Sequence, residues 1–203
     1  MGITERKERE KQEMKNLILE AASRLFQEQG YEKTSIRNIA ERIEYSPATI
    51  YLYYKDKDEL FYGVHEKGFE LLLEQLHPLM DVKNPLERLR KMGDTYVRFA
   101  FEHPDYYDLM FIVSAPIENL HKHNEEWDCG LQNFRLLRQT VAECLEKQMI
   151  KSANVDVAAM SIFSFIHGMV SLAIRNRFVM FPREQLPKMF EASMDNMMNL
   201  IQA

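Results

Sequence analysis

The sequence predicts an all-α protein, in which an N-terminal three-helix domain with a helix-turn-helix precedes a C-terminal helical bundle. Three observations carry this. Apolar residues recur at helical spacing along nearly the whole chain, as in Ile36, Ile39, Ala40 and Ile43 at i, i+3, i+4 and i+7. Glycine and proline are scarce, seven of each in 203 residues, and most fall at the edges of those periodic stretches. Residues that cap helices stand where the stretches begin, as at Ser46-Pro47, Asp56 and Asn84-Pro85.

The first helix is expected from about Thr4 to Gln29, with Met14, Leu17, Ile18, Ala21, Leu25 and Phe26 inward and Gly30 as its stop. Its opening, Thr4 to Lys11, alternates in charge and sets Glu5 against Arg9 and Arg6 against Glu10 at i, i+4, which describes a solvated extension. The second helix carries Ile36 to Ile43. The third starts at the Ser46 cap, buries Ile50 and turns Ala48, Thr49, Tyr51, Leu52 and Tyr53 outward. The fourth starts at Asp56, with Glu59 three residues on as in a capping box, and runs to about Leu76, linking the two parts. The fifth opens at Asn84-Pro85 and carries Leu86, Leu89, Tyr96 and Ala100. His103-Pro104 ends it and begins a sixth, to about Val113. Residues 114–124 read as a loop, and Glu118, His121 and His123 as surface residues of it rather than metal ligands. The seventh helix carries Trp127, Leu131, Phe134, Val141 and Leu145. The eighth, about Asp156 to Phe178, is apolar nearly all round and interleaved with Ser161, Ser164, Gly168 and Ser171. The ninth, about Arg183 to Ile201, is rich in methionine.

Composition narrows the function. A net charge of −5 excludes a bulk polycation that coats nucleic acid. Between Lys33 and Lys57, however, five basic residues face three acidic ones, so the positive charge is local. No signal peptide and no apolar run of membrane-spanning length is expected, which points to a cytoplasmic protein with no membrane partner. Cys129 and Cys144 share the seventh helix roughly 22 Å apart, beyond bridging distance, and read as reduced packing residues. No Gly-rich phosphate loop, zinc-type cysteine pairing or nucleophile elbow is present, so neither a cofactor, a metal nor an enzymatic activity is expected.

A short helix exposing small, hydroxyl and aromatic side chains beside Arg37 and Lys55 suits a DNA major groove. The expected DNA contacts are Ser35, Arg37, Ser46, Ala48, Thr49, Tyr51, Leu52, Tyr53, Lys55 and Lys57. Arg37 is the candidate base reader and Lys57 a candidate phosphate contact. A helix apolar on all sides must be covered on all sides, so the last two helices are expected to pair with a second copy through Met169, Leu172, Phe190, Met194, Met197 and Ile201.

The run Ala21-Ala22-Ser23-Arg24-Leu25-Phe26, Gly30-Tyr31, Thr34-Ser35, Ile39-Ala40 and Thr49-Ile50-Tyr51-Leu52-Tyr53-Tyr54-Lys55-Asp56-Lys57 resembles the tetracycline-repressor (TetR) family of bacterial regulators over roughly residues 14–62. Where the family often has glycine in the turn, this chain has Glu44, a residue that pays for a positive φ. Phe163 to Val170 is similar to one variety of the family's C-terminal domains. The resemblance implies a DNA-binding domain over 1–55 and a ligand-binding and dimerisation domain over 56–203. It implies a homodimeric repressor on a palindromic double-stranded operator, released when a small hydrophobic effector enters the C-terminal domain and shifts the fourth helix. The candidate pocket is Tyr96, Phe99, Tyr106, Met110, Phe111, Trp127, Phe134, Phe165, His167 and Met169, aromatic and Met-rich. Two rivals stand beside this reading: a regulator with no small-molecule input, and a helical-bundle enzyme.

Overall fold

The computed structural model describes residues 2–113 and 128–203; the expected loop and Trp127 lie outside them. The described residues form nine α-helices: α1 (Ile3–Gln29), α2 (Ile36–Arg42), α3 (Pro47–Tyr51), α4 (Lys57–Leu76), α5 (Pro85–Glu102), α6 (Pro104–Phe111), α7 (Asp128–Glu146), α8 (Val155–Ile174) and α9 (Leu186–Ile201). Short 3-10 turns follow α4 (His77–Asp81) and precede α9 (Arg183–Gln185). The eighth helix ends four residues short of its expected end. There Asn176 takes a φ of +52°, and its N–H bonds the Ala173 carbonyl at 2.9 Å, so the backbone turns away.

The chain divides into two compact units, and α4 runs through the boundary. The first unit takes residues up to Glu70 together with α6. Its core is the inward stripe of α1 (Ile18, Ala22, Phe26) against Ile39 of α2, Ile50 of α3 and Leu60, Phe61 and Val64 of α4, all buried. Phe26 and Tyr31 each meet the Phe61 ring at 4.9 Å, edge to face. Thr34 donates its hydroxyl to the Gly30 carbonyl at 2.8 Å, which ties off the connection between α1 and α2. Two contacts hold α6 here. The buried Ser23 hydroxyl donates to the Asp105 carboxylate at 2.8 Å, and Gly68 of α4 lets Met110 approach so closely that a Cβ would lie 2.6 Å from its sulfur.

The second unit comprises residues 71–104 and 128–203. Here α5 packs on α7 and α8, with Leu89, Val141, Cys144, Ala159, Ile162 and Met198 in its core. The buried Arg88 guanidinium donates to Thr140 Oγ1 at 3.0 Å and pairs with Glu143, so its charge is compensated. The Cys144 thiol, pushed up to about 11 by burial, stays protonated and inert. The C-terminus is pinned by the Ala203 N–H on the Met149 carbonyl at 3.1 Å.

One expectation is corrected here. The helix Val155–Ile174 is long and apolar enough, by length and composition, to cross a membrane. One side, with Ala158, Ala159, Ile162, Ile166 and Val170, is buried within the unit, while Val157, Met160 and Leu172 are exposed.

Candidate nucleic-acid interface

Both short helices are fixed at their starts by their own side chains. Ser35 accepts the Asn38 N–H at 3.1 Å, and Asn38 Oδ1 in turn accepts the Ser35 N–H at 3.2 Å. Ser46 accepts the Thr49 N–H at 3.3 Å, with Pro47 at the first helical position. Ser35 and Ser46 therefore already spend their hydroxyls on caps. Between them, the Tyr45 N–H reaches back to the Ala40 carbonyl at 2.9 Å and that of Glu44 to Glu41 at 3.3 Å. This closure requires a left-handed residue, and Glu44 supplies it at φ +60°.

The result is a pedestal with Ile39, Ala40 and Ile50 buried beneath and a polar-aromatic strip above. Arg37, Ala48, Tyr51, Leu52 and Lys55 are exposed, while Thr49 and Tyr53 are half-buried. Leu52, at 80% exposure, has no folded-state reason to be apolar. Arg37 bonds Glu41 at 2.9 Å in a solvated pair that a phosphate can displace. Lys33 and Lys55 form no ion pair among the described residues. Lys57 sits differently from its expected phosphate role. Its ammonium donates to the Tyr31 carbonyl at 3.0 Å and lies 4.0 Å from the centre of the Tyr31 ring, so a phosphate must compete for it. Tyr54 is core, as its apolar register requires. Burial, then Glu59, Glu66 and Glu70, push its hydroxyl up to about 12. The expected capping box at the start of α4 is present: Asp56 accepts the Glu59 N–H at 2.9 Å, while the Glu59 carboxylate accepts the Lys55 N–H.

Sequence reasoning missed Tyr45, 45% exposed in the turn beside Glu44. Its signal was the turn itself, since the residue after a left-handed closure points away from the helix pair. It also passed over His65, fully buried on α4 with Phe69 at 5.0 Å and Tyr62 at 6.1 Å between ring centroids. The i, i+4 spacing of Phe61, His65 and Phe69 marks it as a core position.

The described candidate pocket residues are divided between the two units. Tyr106, Met110 and Phe111 belong to the first unit; Tyr96, Phe99, Phe134, Phe165, His167 and Met169 belong to the second. Tyr96, Phe99, Tyr106 and Met110 are buried. Phe134 and Phe165 pack against the second unit's core. Tyr96 Oη and His167 Nδ1 lie 3.0 Å apart in a hydrogen bond, beside Phe163. Burial, then the Arg175 charge, hold His167 below the usual imidazole range.

The face expected to meet a second copy needs correction. Met194 and Met197 are 3% and 7% exposed and point into the chain's own core, Met194 against Gly93 and Met197 beside Val141 and Cys144. Phe190, Met169 and Ile201 are half-buried. Leu172 is exposed, and with it on α8 stand Val157, Met160 and Ser164. Gly168 shares this outer face, with open space where a side chain would project. On α9 the outward position is Leu200, 71% exposed, with Met189, Ser193 and Asn196 on its side of the helix.

Residues 18–64 match the family model "Bacterial regulatory proteins, tetR family", and residues 89–197 match the "Tetracyclin repressor-like, C-terminal domain". The chain is 32% identical over 79 residues to the HTH-type transcriptional regulator HbdR of Aromatoleum sp. (strain CIB), a match covering 38% of this chain and 34% of HbdR. It is 26% identical over 156 residues to the HTH-type transcriptional regulator AcrR of Shigella flexneri, covering 70% of this chain and 68% of AcrR. The chain thus spans about a third of the length of HbdR. Its fold is similar to that of the fatty acid degradation regulator FadR from Bacillus halodurans, with a TM-score of 0.71 at 16% identity over 87% of this chain and 92% of FadR.

Proposed function

The chain belongs to the TetR family of helix-turn-helix transcriptional regulators, and from that premise we propose that it is a homodimeric repressor released from a palindromic operator by a small hydrophobic effector. The observation that carries the reading is α3, a helix capped by Ser46 over buried Ile50 that leaves Tyr51 and Leu52 to solvent. In this reading the first 55 residues read DNA. Arg37 takes a base edge, Tyr51, Tyr53 and Thr49 hold phosphates, Ala48 and Leu52 meet thymine methyls, and Lys55 anchors the backbone. Two copies pair through the outer faces of α8 and α9, which sets the spacing of the two recognition helices. The effector acts by binding the DNA-incompetent state more tightly, since a ligand with equal affinity for both states shifts nothing.

Operator selection from random duplexes, followed by salt titration, tests this. Lys55→Ala lowers the log–log salt slope by about 0.9 with sequence preference kept, as expected for one lost phosphate contact. Arg37→Ala relaxes preference at one position per half-site and costs about 1–3 kcal/mol on the selected site. Equal losses from both variants on every sequence remove the distinction between base reader and phosphate clamp. The rival without small-molecule input is favoured by the burial of Tyr96, Phe99, Tyr106 and Met110, which behave as core. Release of DNA by a hydrophobic compound, together with a raised melting temperature, decides against that rival.

A further inference from the structure

Tyr31 stands where the first unit turns from α1 toward α2. Gly30 ends α1 at φ +82°, with its N–H on the Phe26 carbonyl at 2.9 Å. The next residue is Tyr31, whose ring packs on Phe26 at 5.8 Å and on Phe61 at 4.9 Å between centroids. These two rings fix the phenol beside the start of α4.

That start carries a cation and an anion in succession, Lys57 and Asp58, and Tyr31 takes each of them with a different group. The Lys57 ammonium donates to the Tyr31 carbonyl at 3.0 Å and lies 4.0 Å from the centre of the ring. The Tyr31 hydroxyl donates to the Asp58 carboxylate. Successive positions on a helix project apart, but here both side chains end on one phenol, Lys57 over the ring and Asp58 at the hydroxyl. The other two acids of this turn are occupied as well. Asp56 accepts the Glu59 N–H at 2.9 Å, and Glu59 accepts the Lys55 N–H. Lys57 consequently forms no ion pair among the described residues.

A phosphate that approaches Lys57 therefore competes only with a neutral carbonyl and an aromatic face. A charge-assisted hydrogen bond is about twice as strong as a neutral one, so the phosphate wins that competition. A released Asp58 carboxylate alters it. That carboxylate is an anion like the phosphate, is already close to the ammonium, and repels the incoming charge.

We propose that Tyr31 is a positioning residue for the contact between Lys57 and a DNA phosphate. Its hydroxyl holds the Asp58 carboxylate, its carbonyl and ring hold the ammonium, and the two charges are kept from neutralising each other. The inference rests on the operator reading, in which the start of α4 meets the duplex beside α3. Y31F is the discriminating change, because it removes the hydroxyl alone and leaves the ring on Phe26 and Phe61 and the carbonyl on Lys57.

The test is a mutant cycle with the full chain on the duplex that the wild type selects, affinity being read by fluorescence anisotropy across a salt series. Y31F is expected to weaken binding about threefold per half-site, the worth of one solvated ion pair, and to lower the log–log salt slope toward that of K57A. D58N repairs the Y31F loss, so its gain in the Y31F background exceeds its gain alone by about threefold per half-site. With K57A introduced as well, this coupling vanishes. Urea midpoints of the DNA-free chains verify that each variant is folded. Unchanged affinity in Y31F or in K57A overturns the proposal. So do equal D58N gains in both backgrounds, the result for a merely structural Tyr31, and a coupling that persists without Lys57. A wild-type chain that selects no duplex overturns the operator reading itself, and the proposal with it.

Discussion

Glu44 holds a left-handed backbone at φ +60° because the closure of α2 leaves the chain no other path. A Cβ in that region costs about 1–2 kcal/mol, part of which a glycine returns through the freer unfolded chain. Glu44→Gly is therefore expected to raise the unfolding free energy by about 0.5–1 kcal/mol, read as a higher urea midpoint at unchanged slope. An unchanged or lower midpoint means that the Glu44 side chain contributes something its backbone conceals. At this scale the sequence is readable wherever a residue's job is local. The Ser46 cap, the Pro47 start, the Asp56–Glu59 box and the strained turn all follow from neighbours three or four positions away. Lys57 was not readable, because its partner Tyr31 lies 26 positions back and only the packing of α1 on α4 brings the two together.

Whole helices were legible in number and order, since capping residues and periodicity mark where each starts and stops. The phase of an apolar helix was not. In α9, Met189, Phe190, Met194, Met197, Met198 and Leu200 distribute apolar atoms around much of the cylinder, so composition alone fits several inward faces. Contacts decide among them: Gly93 on α5 makes room for Met194, and the turn of α9 that follows places Leu200 in solvent. The two classes of position give opposite outcomes to one substitution. Leu172→Asp or Leu200→Asp is expected to yield monomers by sedimentation with the melting temperature of the monomer unit kept. Met194→Asp instead buries an unpaired charge and lowers stability by several kcal/mol, about 3–5 by analogy with broken buried pairs. A fully dimeric Leu172→Asp/Leu200→Asp double variant at micromolar concentration shows that the copies meet elsewhere. The candidate pocket has a related ambiguity. Aromatic and methionine side chains signal burial well, yet the same residues build a core and line a cavity, and their membership of two units is a property of topology.

For the whole molecule, His65 makes stability sensitive to acid, together with the likewise lowered His167. Burial lowers the His65 imidazole to about 4, against 6.5 for the free group. Between those values the unfolded chain takes up a proton that the folded chain refuses, so stability falls as pH drops from about 6.5 toward 4. The share of His65 in the loss is on the order of 3 kcal/mol for the full interval, and His65→Phe is expected to make the curve shallower whatever its effect at pH 7. Denaturant midpoints at pH 7, 6, 5 and 4 for both chains give the answer, and parallel curves assign the acid loss to other groups. The same region has a consequence for biosynthesis. Because Ser23 holds Asp105 and Gly68 seats Met110, the first unit is discontinuous in sequence. A chain emerging from the ribosome N-terminus first exposes α1 to α4 while α5 is still being made, and the surface that α6 covers stays wet until residues beyond 104 are out. Ribosome-bound chains stalled between those points thus display a greasy flank around Phe69 and His65, a natural address for a chaperone that attends nascent polypeptides.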